Sequence, residues 1–161
     1  MGELRDGAGG ARGTPVRAVT GTDFVALLPH RSPFLFVDVV DGCVPGRSCD
    51  GRYLVTGDEP FLAGHFPGNP VVPGVIQLEA LAQVGAVALR AHPDFADRLP
   101  LFGGVEKARF RRIVRPGDEM TLHIVIERLS SRGGWGDARA TVGGAVVCDA
   151  RIFFTFAPSA S

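Results

Sequence analysis

Residues 64–89, GHFPGNPVVPGVIQLEALAQVGAVAL, decide the fold of this chain. The first half of the segment cannot form a continuous helix, because prolines stand at Pro67, Pro70 and Pro73. The second half is rich in alanine and leucine, and no proline interrupts it from Val75 to Arg90. About 16 helical residues extend roughly 24 Å, which is long enough to lie across a sheet. The segment therefore predicts one long helix that is apolar on nearly all sides and buried.

Extended segments rich in β-branched and aromatic residues flank this helix. Two precede it, at residues 34–40 and 51–55, with Asp41-Gly42 and Pro45-Gly46 as turn residues between them. The segments that follow it are residues 101–105, 107–113, 120–129, 136–142 and 145–156. This order predicts an α+β fold in which about five or six antiparallel strands curl around the helix. Open sheet edges favour pairing between two copies, so we expect a homodimer.

The length of 161 residues and a hydrophobic content of 45% are those of one compact domain. We expect this domain to span residues 20–157. Residues 1–19 are rich in glycine and arginine without periodic apolar positions, and they predict a flexible N-terminal tail. Residues 158–161 are expected to form a short C-terminal tail.

The overall composition argues against several classes of function. The formal net charge is zero, so general electrostatic binding to nucleic acid is not expected. Gln77, Glu79 and Gln83 interrupt the most hydrophobic stretch, which is too short to span a membrane. The N-terminal residues lack the apolar core of a secretory signal. We therefore expect a cytoplasmic protein that binds neither nucleic acid nor a membrane.

Cysteine and histidine spacing indicates neither a metal site nor a disulfide framework. Cys43, Cys49 and Cys148 are an odd number without CxxC spacing, which favours reduced thiols. The four histidines form no HExxH pair, and the chain has no P-loop, dinucleotide fingerprint or GxSxG elbow. We expect no metal and no organic cofactor.

His65 and Glu79 are the candidate catalytic residues. An imidazole can take or give a proton near neutrality, and a carboxyl group on an apolar helix can stay protonated enough to act as an acid. The helix begins near Gly74 and Val75, where free first-turn amides could stabilise a carbonyl oxygen as it gains negative charge. Gln83 lies one turn beyond Glu79 and could hydrogen-bond the carboxyl group or brace an interface.

Each of these two residues also has a simpler explanation. His65 could be a histidine that is hydrogen-bonded in a turn. Glu79 could be an exposed helix residue, or a structural buried acid satisfied by Gln83 or an arginine. Their separation by three prolines means that tertiary or quaternary structure must bring them together.

A series of motifs resembles the 3-hydroxyacyl-acyl-carrier-protein dehydratases of bacterial fatty-acid synthesis. The motifs occur in the same order over roughly residues 22–156. They are LLPHRSPFL at 27–35, EPF at 59–61, GHFPGNP at 64–70, PGV at 73–75, EALAQ at 79–83, KARF at 107–110, VRPGD at 114–118, and Trp135.

The resemblance implies a hot-dog fold and an obligate dimer that often assembles into a trimer of dimers. It implies that His65 from one subunit and Glu79 from its partner form each site, without metal or organic cofactor. The implied reaction removes water from a (3R)-3-hydroxyacyl thioester of acyl carrier protein and leaves the trans-2-enoyl thioester. His65 would take the C2 proton, Gly74 would stabilise the thioester oxygen, and Glu79 would protonate the leaving hydroxyl.

An acyl carrier protein is acidic, so the resemblance also implies a basic docking surface. The candidates are four arginines close together in sequence, Arg109, Arg111, Arg112 and Arg115. The alternative is that they form the solvated face of a strand.

Some positions depart from the family pattern, and they put the acyl chain length in question: Ser32 replaces an aromatic residue, Val72 a methionine and Gln77 an aliphatic residue. Glu79, rather than aspartate, resembles the dehydratases without isomerase activity. Two other functions stay open, a hot-dog acyl thioesterase and a non-catalytic acyl-binding or assembly subunit. His30, beside Arg31 and ahead of Pro33, is expected to have a structural or capping role.

Overall fold

The computed structural model describes residues 19–158. Apart from Val19 and Pro158, the predicted tails at 1–19 and 158–161 lie outside the described residues. Val19 is buried. No helix within the described part of the chain is both long and apolar enough to cross a membrane.

One long helix and six strands make up the domain. In chain order they are β1 (Val39–Val44), β2 (Ser48–Leu54), α1 (Gly74–Arg90), β3 (Pro100–Phe110), β4 (Glu119–Ser130), β5 (Gly133–Val142) and β6 (Ala145–Phe156). The strands form a single antiparallel sheet in the order β1-β2-β4-β5-β6-β3. Short 3₁₀ helices cover Asp23–Ala26, Pro60–Ala63 and Pro93–Phe95.

Helix α1 lies against all six strands, as expected for a sheet that curls around it. Its Leu81, Val84 and Leu89 are fully buried. On strand β4, alternate residues Met120, Leu122, Ile124 and Ile126 face the core. The predicted hot-dog fold is therefore confirmed.

Gly85 lets the helix approach the sheet closely. A Cβ atom at this position would lie 2.5 Å from the Phe154 ring and 2.9 Å from Ile124 Cδ1. Both distances are well inside van der Waals contact. A glycine here therefore fixes the separation between the helix and strands β4 and β6.

The strand predicted at residues 34–40 begins only at Val39. Within the irregular residues 34–38, the Phe36 amide donates to the Gln83 side chain, 2.8 Å away, whereas the Asp38 amide donates to the Arg52 carbonyl of β2, also at 2.8 Å. Asp41-Gly42 does not form a turn: the register shifts between Val40 and Gly42 within β1, and the turn is at residues 45–47.

The two segments predicted at 101–105 and 107–113 form one irregular strand, β3. Its pairing with β6 shifts register twice, between Phe102 and Gly104 and between Glu106 and Arg109. Lys107 lies between the paired residues of the second shift and has a φ of 54°. Strand β3 is the last strand of the sheet on its side, and its Leu101, Phe102 and Val105 are each about 40% exposed.

Candidate active site

The first turn of helix α1 presents free amides to a cavity. The helix starts after Pro73, whose side chain makes no capping hydrogen bond and whose carbonyl accepts from Ile76, 3.0 Å away. The amides of Gly74 and Val75 have no intrahelical acceptor at this position. Because Gly74 has no Cβ atom, the Phe110 ring can pack directly over it. A Cβ atom added at Gly74 would lie only 2.8 Å from Cε1 of Phe110.

His65 lies in a loop that closes before the helix. Its Nδ1 is 2.8 Å from the carbonyl oxygen of Val71, and the Val71 amide donates back to the His65 carbonyl over 3.0 Å. A carbonyl oxygen only accepts, so Nδ1 carries the hydrogen in this bond. In the neutral ring Nε2 then has a lone pair and can accept a proton.

These groups share one cavity of about 460 Å³. His65, Gly74, Val75 and Gln77 line it together with Phe110 and two arginines, Arg111 and Arg112. Gln77 is 2% exposed, and its Oε1 has no hydrogen-bond partner within the part of the chain that the structure describes. The cavity therefore combines an imidazole, the free amides of the first helical turn and a few polar side chains in a mostly apolar lining.

Glu79 lines a different cavity, of about 390 Å³. Its polar lining residues are His30, Glu79 and Gln83. The others are apolar: Pro29, Ala82, Ala86, Leu99, Pro100, Leu101, Phe102 and Phe154. Such a lining suits an alkyl chain whose polar end meets the carboxyl group of Glu79.

Two nitrogen atoms contact the carboxyl group of Glu79. Gln83 Nε2 donates to Oε1 over 3.1 Å, and His30 Nε2 is 3.3 Å from the same oxygen. Gln83 is itself fixed by the backbone, since it accepts from the Phe36 amide at 2.8 Å and donates to the Phe34 carbonyl at 3.1 Å. The Glu79 carboxyl group thus has a defined position on the helix.

For His30 the sequence predicts only a structural or capping role, and its contact with Glu79 was not predicted. The carbonyls at the end of the 3₁₀ helix Asp23–Ala26 are bonded by Arg31 instead. Its guanidinium donates to the carbonyls of Leu28 at 2.6 Å and Val25 at 3.2 Å. An imidazole within the family motif at 27–35 was the available indication, but its partner lies 49 residues away in sequence.

The four candidate docking arginines are all exposed, but they are not equivalent. Arg111 forms an ion pair with Asp149, and the Arg115 guanidinium donates to Asn69 Oδ1 at 2.6 Å. Within residues 19–158, the side chains of Arg109 and Arg112 form neither a hydrogen bond nor an ion pair of this kind. These two keep their charge available to a partner.

The sequence motifs and a protein-family model cover the same part of the chain. A model of the FabA-like domain matches residues 28–151. The chain belongs to the FabA-like domain family. The family assignment made from the sequence motifs is confirmed.

Curated relatives of this FabA-like chain are named 3-hydroxyacyl-[acyl-carrier-protein] dehydratase FabZ. The protein from Chloroflexus aggregans is 49% identical over 132 residues, which cover 82% of this chain and 92% of the relative. That from Moorella thermoacetica is 50% identical over 128 residues, covering 80% and 90%. That from Oenococcus oeni is 48% identical over 136 residues, covering 84% and 98%.

Solved structures share the fold at much lower identity. The dehydratase heterocomplex ApeI:P from Xenorhabdus doucetiae aligns with a TM-score of 0.70 at 17% identity, covering 84% of this chain and 91% of that chain. Cj0977, a virulence protein from Campylobacter jejuni, aligns with a TM-score of 0.65 at 10% identity, covering 84% and 89%. These similarities show the common architecture alone.

Proposed function

We propose that this protein dehydrates (3R)-3-hydroxyacyl thioesters of acyl carrier protein to trans-2-enoyl thioesters. The observation that carries the proposal is the placement of a base with a free Nε2, His65, beside the free amides at Gly74 in one cavity. Relatives that are about half identical over most of their length are named as dehydratases of this kind.

The reaction follows from the groups available. His65 Nε2 takes the C2 proton, and the Gly74 amide hydrogen-bonds the thioester oxygen as negative charge develops on it. Glu79 gives its proton to the C3 hydroxyl, so that the C3–O bond breaks and water leaves while the C2–C3 double bond forms. His65 must therefore start neutral and Glu79 protonated.

The site requires two chains. His65 and Glu79 of one chain line separate cavities, so the catalytic pair forms when the partner subunit in a homodimer supplies Glu79. Strand β3, with its exposed apolar side chains and open edge, supports the pairing. A trimer of such dimers is compatible with the same pairing.

The acyl carrier protein docks at the mouth of the His65 cavity, beside the unpaired Arg109 and Arg112. The phosphopantetheine arm carries a phosphate at the carrier surface, and exposed guanidinium groups suit both this phosphate and acidic side chains. Arg111 and Arg115 contribute less, because each already has a partner on its own chain.

The cysteines support a cytoplasmic location for the protein. Cys43, Cys49 and Cys148 are free thiols, as is usual in a reducing compartment.

A direct assay tests the activity. The purified chain is incubated with 3-hydroxyacyl-acyl carrier protein, and enoyl absorbance and free thiol are followed together. We expect enoyl product without thiol release. Release of thiol without enoyl product would identify a thioesterase, and binding of the acyl chain without either product would identify a non-catalytic acyl-binding subunit.

A further inference from the structure

Both nitrogen contacts of Glu79 converge on a single carboxyl oxygen. Gln83 Nε2 and His30 Nε2 lie 3.1 Å and 3.3 Å from Oε1. No other side chain in the described part of the chain forms a hydrogen bond or ion pair with this carboxyl group. Oε2 is the oxygen left to meet a substrate.

The direction of the Gln83 contact is fixed by its surroundings. The Phe36 amide can only donate, so the side-chain atom facing it must be the Gln83 oxygen, at 2.8 Å. The Gln83 nitrogen therefore faces the Phe34 carbonyl and Glu79. Gln83 is a donor to Glu79 Oε1 in every protonation state of the acid.

The direction of the His30 contact follows from its other ring nitrogen. His30 Nδ1 is buried and has no hydrogen-bond partner among residues 19–158. A hydrogen on that atom alone would be a buried donor without an acceptor, and Nε2 would then turn a lone pair toward Glu79 Oε1. A hydrogen on Nε2 leaves only Nδ1 without a partner, and each unpaired buried group costs about 1–3 kcal/mol. The hydrogen therefore lies on Nε2, and Nε2–H donates to Glu79 Oε1.

We propose that His30 is a positioning residue for Glu79. Together with Gln83 it occupies both lone pairs of Oε1, which makes Oε1 the carbonyl oxygen of the protonated acid and places the acidic hydrogen on Oε2. This inference rests on the proposed function, in which Glu79 protonates the leaving hydroxyl. As Oε2 loses its proton, negative charge grows on the carboxyl group, and the two donors to Oε1 stabilise it.

Such hydrogen bonds strengthen as the transition state forms, because a bond to a charged acceptor is about twice as strong as one to a neutral acceptor. Loss of the His30 donor should then lower kcat more than it changes KM. A residue that only packs in the cavity wall would change KM at least as much, because the ring also borders the proposed acyl cavity.

Two variants separate the donor from the ring. His30→Leu removes the N–H, whereas His30→Gln can place an amide N–H near the Nε2 position. We expect His30→Leu to lower kcat about 10- to 100-fold with KM changed less than about threefold, and His30→Gln to retain kcat within about fivefold of wild type. Thermal unfolding of both variants shows whether the fold is kept. Equal losses in two folded variants, or a loss confined to KM, would overturn the proposal.

The Glu79→Gln background tests whether His30 acts through Glu79. With the acid removed, His30→Leu should cause no further loss of the residual turnover, because the group that it positions is gone. A similar fold-loss in both backgrounds would show that His30 acts elsewhere, and the positioning role would be wrong.

Nitrogen NMR of the full-length protein gives a result that does not depend on activity. At pH 7 the ¹⁵N shifts of His30, assigned from the signals that disappear in His30→Gln, should be those of a neutral Nε2–H ring. An imidazolium or an Nδ1–H ring would overturn the proposal. A wild-type protein that forms no enoyl product but shows the Nε2–H ring would refute the proposed function and leave the hydrogen bond to Glu79 in place.

Discussion

His65 and Glu79 belong to the same chain but line two separate cavities. Gln77, which borders the His65 cavity, and Glu79 are two residues apart, so they project about 200° apart around helix α1. The helix therefore stands between the proposed base and the proposed acid of one chain. A second copy of the chain is the simplest source of the missing carboxyl group at each His65.

Mixed dimers test this arrangement. His65→Ala and Glu79→Gln should each lower kcat by about 10³-fold or more, because each removes one of the two proton-transfer groups. A purified heterodimer of the two variants contains one site with both groups and one with neither. It should recover about half of the wild-type activity per dimer. Activity is measured on heterodimers isolated through two different affinity tags.

The two parental homodimers are the controls, and both should stay inactive. A heterodimer that is as inactive as its parents would mean that His65 and Glu79 of the same chain act together.

Gly74→Ala is expected to obstruct the thioester position. The added Cβ would lie 2.8–2.9 Å from three atoms of the Phe110 ring, so the half-exposed ring must move. The displaced ring then narrows the cavity in which Gly74 meets the substrate. We expect kcat/KM to fall about 10-fold, less than the loss of an oxyanion donor, with little change in the denaturant midpoint.

The matched control is the double variant Gly74→Ala with Phe110→Leu, which removes the collision and keeps an apolar side chain. Activity should recover in the double variant. If the double variant is as slow as Gly74→Ala, the crowding explanation is wrong.

The long-range hydrogen bonds of Gln83 illustrate which parts of the fold could be predicted from the sequence and which could not. Helix α1 was predicted within one residue, because an alanine- and leucine-rich run after Pro73 is a local feature. The segment at 34–38 was wrongly predicted as strand, because the Phe36 amide bonds to a side chain 47 residues away. Propensity alone carries no information about such a partner.

In the candidate site, too, local features could be predicted from the sequence, whereas a long-range contact could not. The helix start and the i, i+4 relation between Glu79 and Gln83 follow from local geometry, and the structure contains that hydrogen bond. The contact of His30 with Glu79 depends on how the loop at 27–35 folds over the helix. No periodicity in the sequence encodes it.

Charge reversal should separate carrier docking from chemistry. Arg109→Glu with Arg112→Glu should raise KM for 3-hydroxyacyl-acyl carrier protein about 10-fold, because it replaces two unpaired positive charges with negative ones. Turnover of a short N-acetylcysteamine thioester, which lacks the carrier, should fall by a clearly smaller factor, although Arg112 also borders the His65 cavity. Initial rates are measured on both substrates.

Arg128→Glu, an exposed arginine on β4, is the matched control and should leave both KM values unchanged. Equal effects of the double variant on the two substrates would place the arginines at the substrate site instead of the carrier surface.

Glu59 should stabilise the fold in a pH-dependent way. Burial raises the pKa of Glu59, but hydrogen bonds from the Thr56 and Gly57 amides and the Tyr53 hydroxyl outweigh it and lower the pKa overall. The stabilisation is complete above the ordinary pKa of about 4.5 and is lost as the pH falls through the lower folded value. Glu59→Gln should therefore cost about 1 kcal/mol at pH 7, after solvent screening, and progressively less below pH about 4.5.

Urea unfolding of wild type and variant between pH 7 and about pH 3, a range that extends below the ordinary pKa of 4.5, measures this difference. Glu106→Gln, at an exposed position on β3, is the control and should show no such pH dependence. A constant difference between Glu59→Gln and wild type across the range would mean that the carboxylate charge is not what stabilises this turn.

Gly85→Ala should destabilise the domain although alanine is the better helix former. Alanine gains about 0.5–1 kcal/mol over glycine within a helix. Its Cβ would lie 2.5 Å from Phe154 Cζ and 2.9 Å from Ile124 Cδ1, and overpacking of a core typically costs about 1–3 kcal/mol. The second effect is larger, so we expect a net loss of about 1–2 kcal/mol in the free energy of unfolding, measured by urea denaturation.

Gly64→Ala, where an added Cβ has no atom within 4 Å, is the control. Adding Phe154→Leu to Gly85→Ala should make room for the Cβ, so a double variant less stable than the sum of its single changes would contradict the steric explanation.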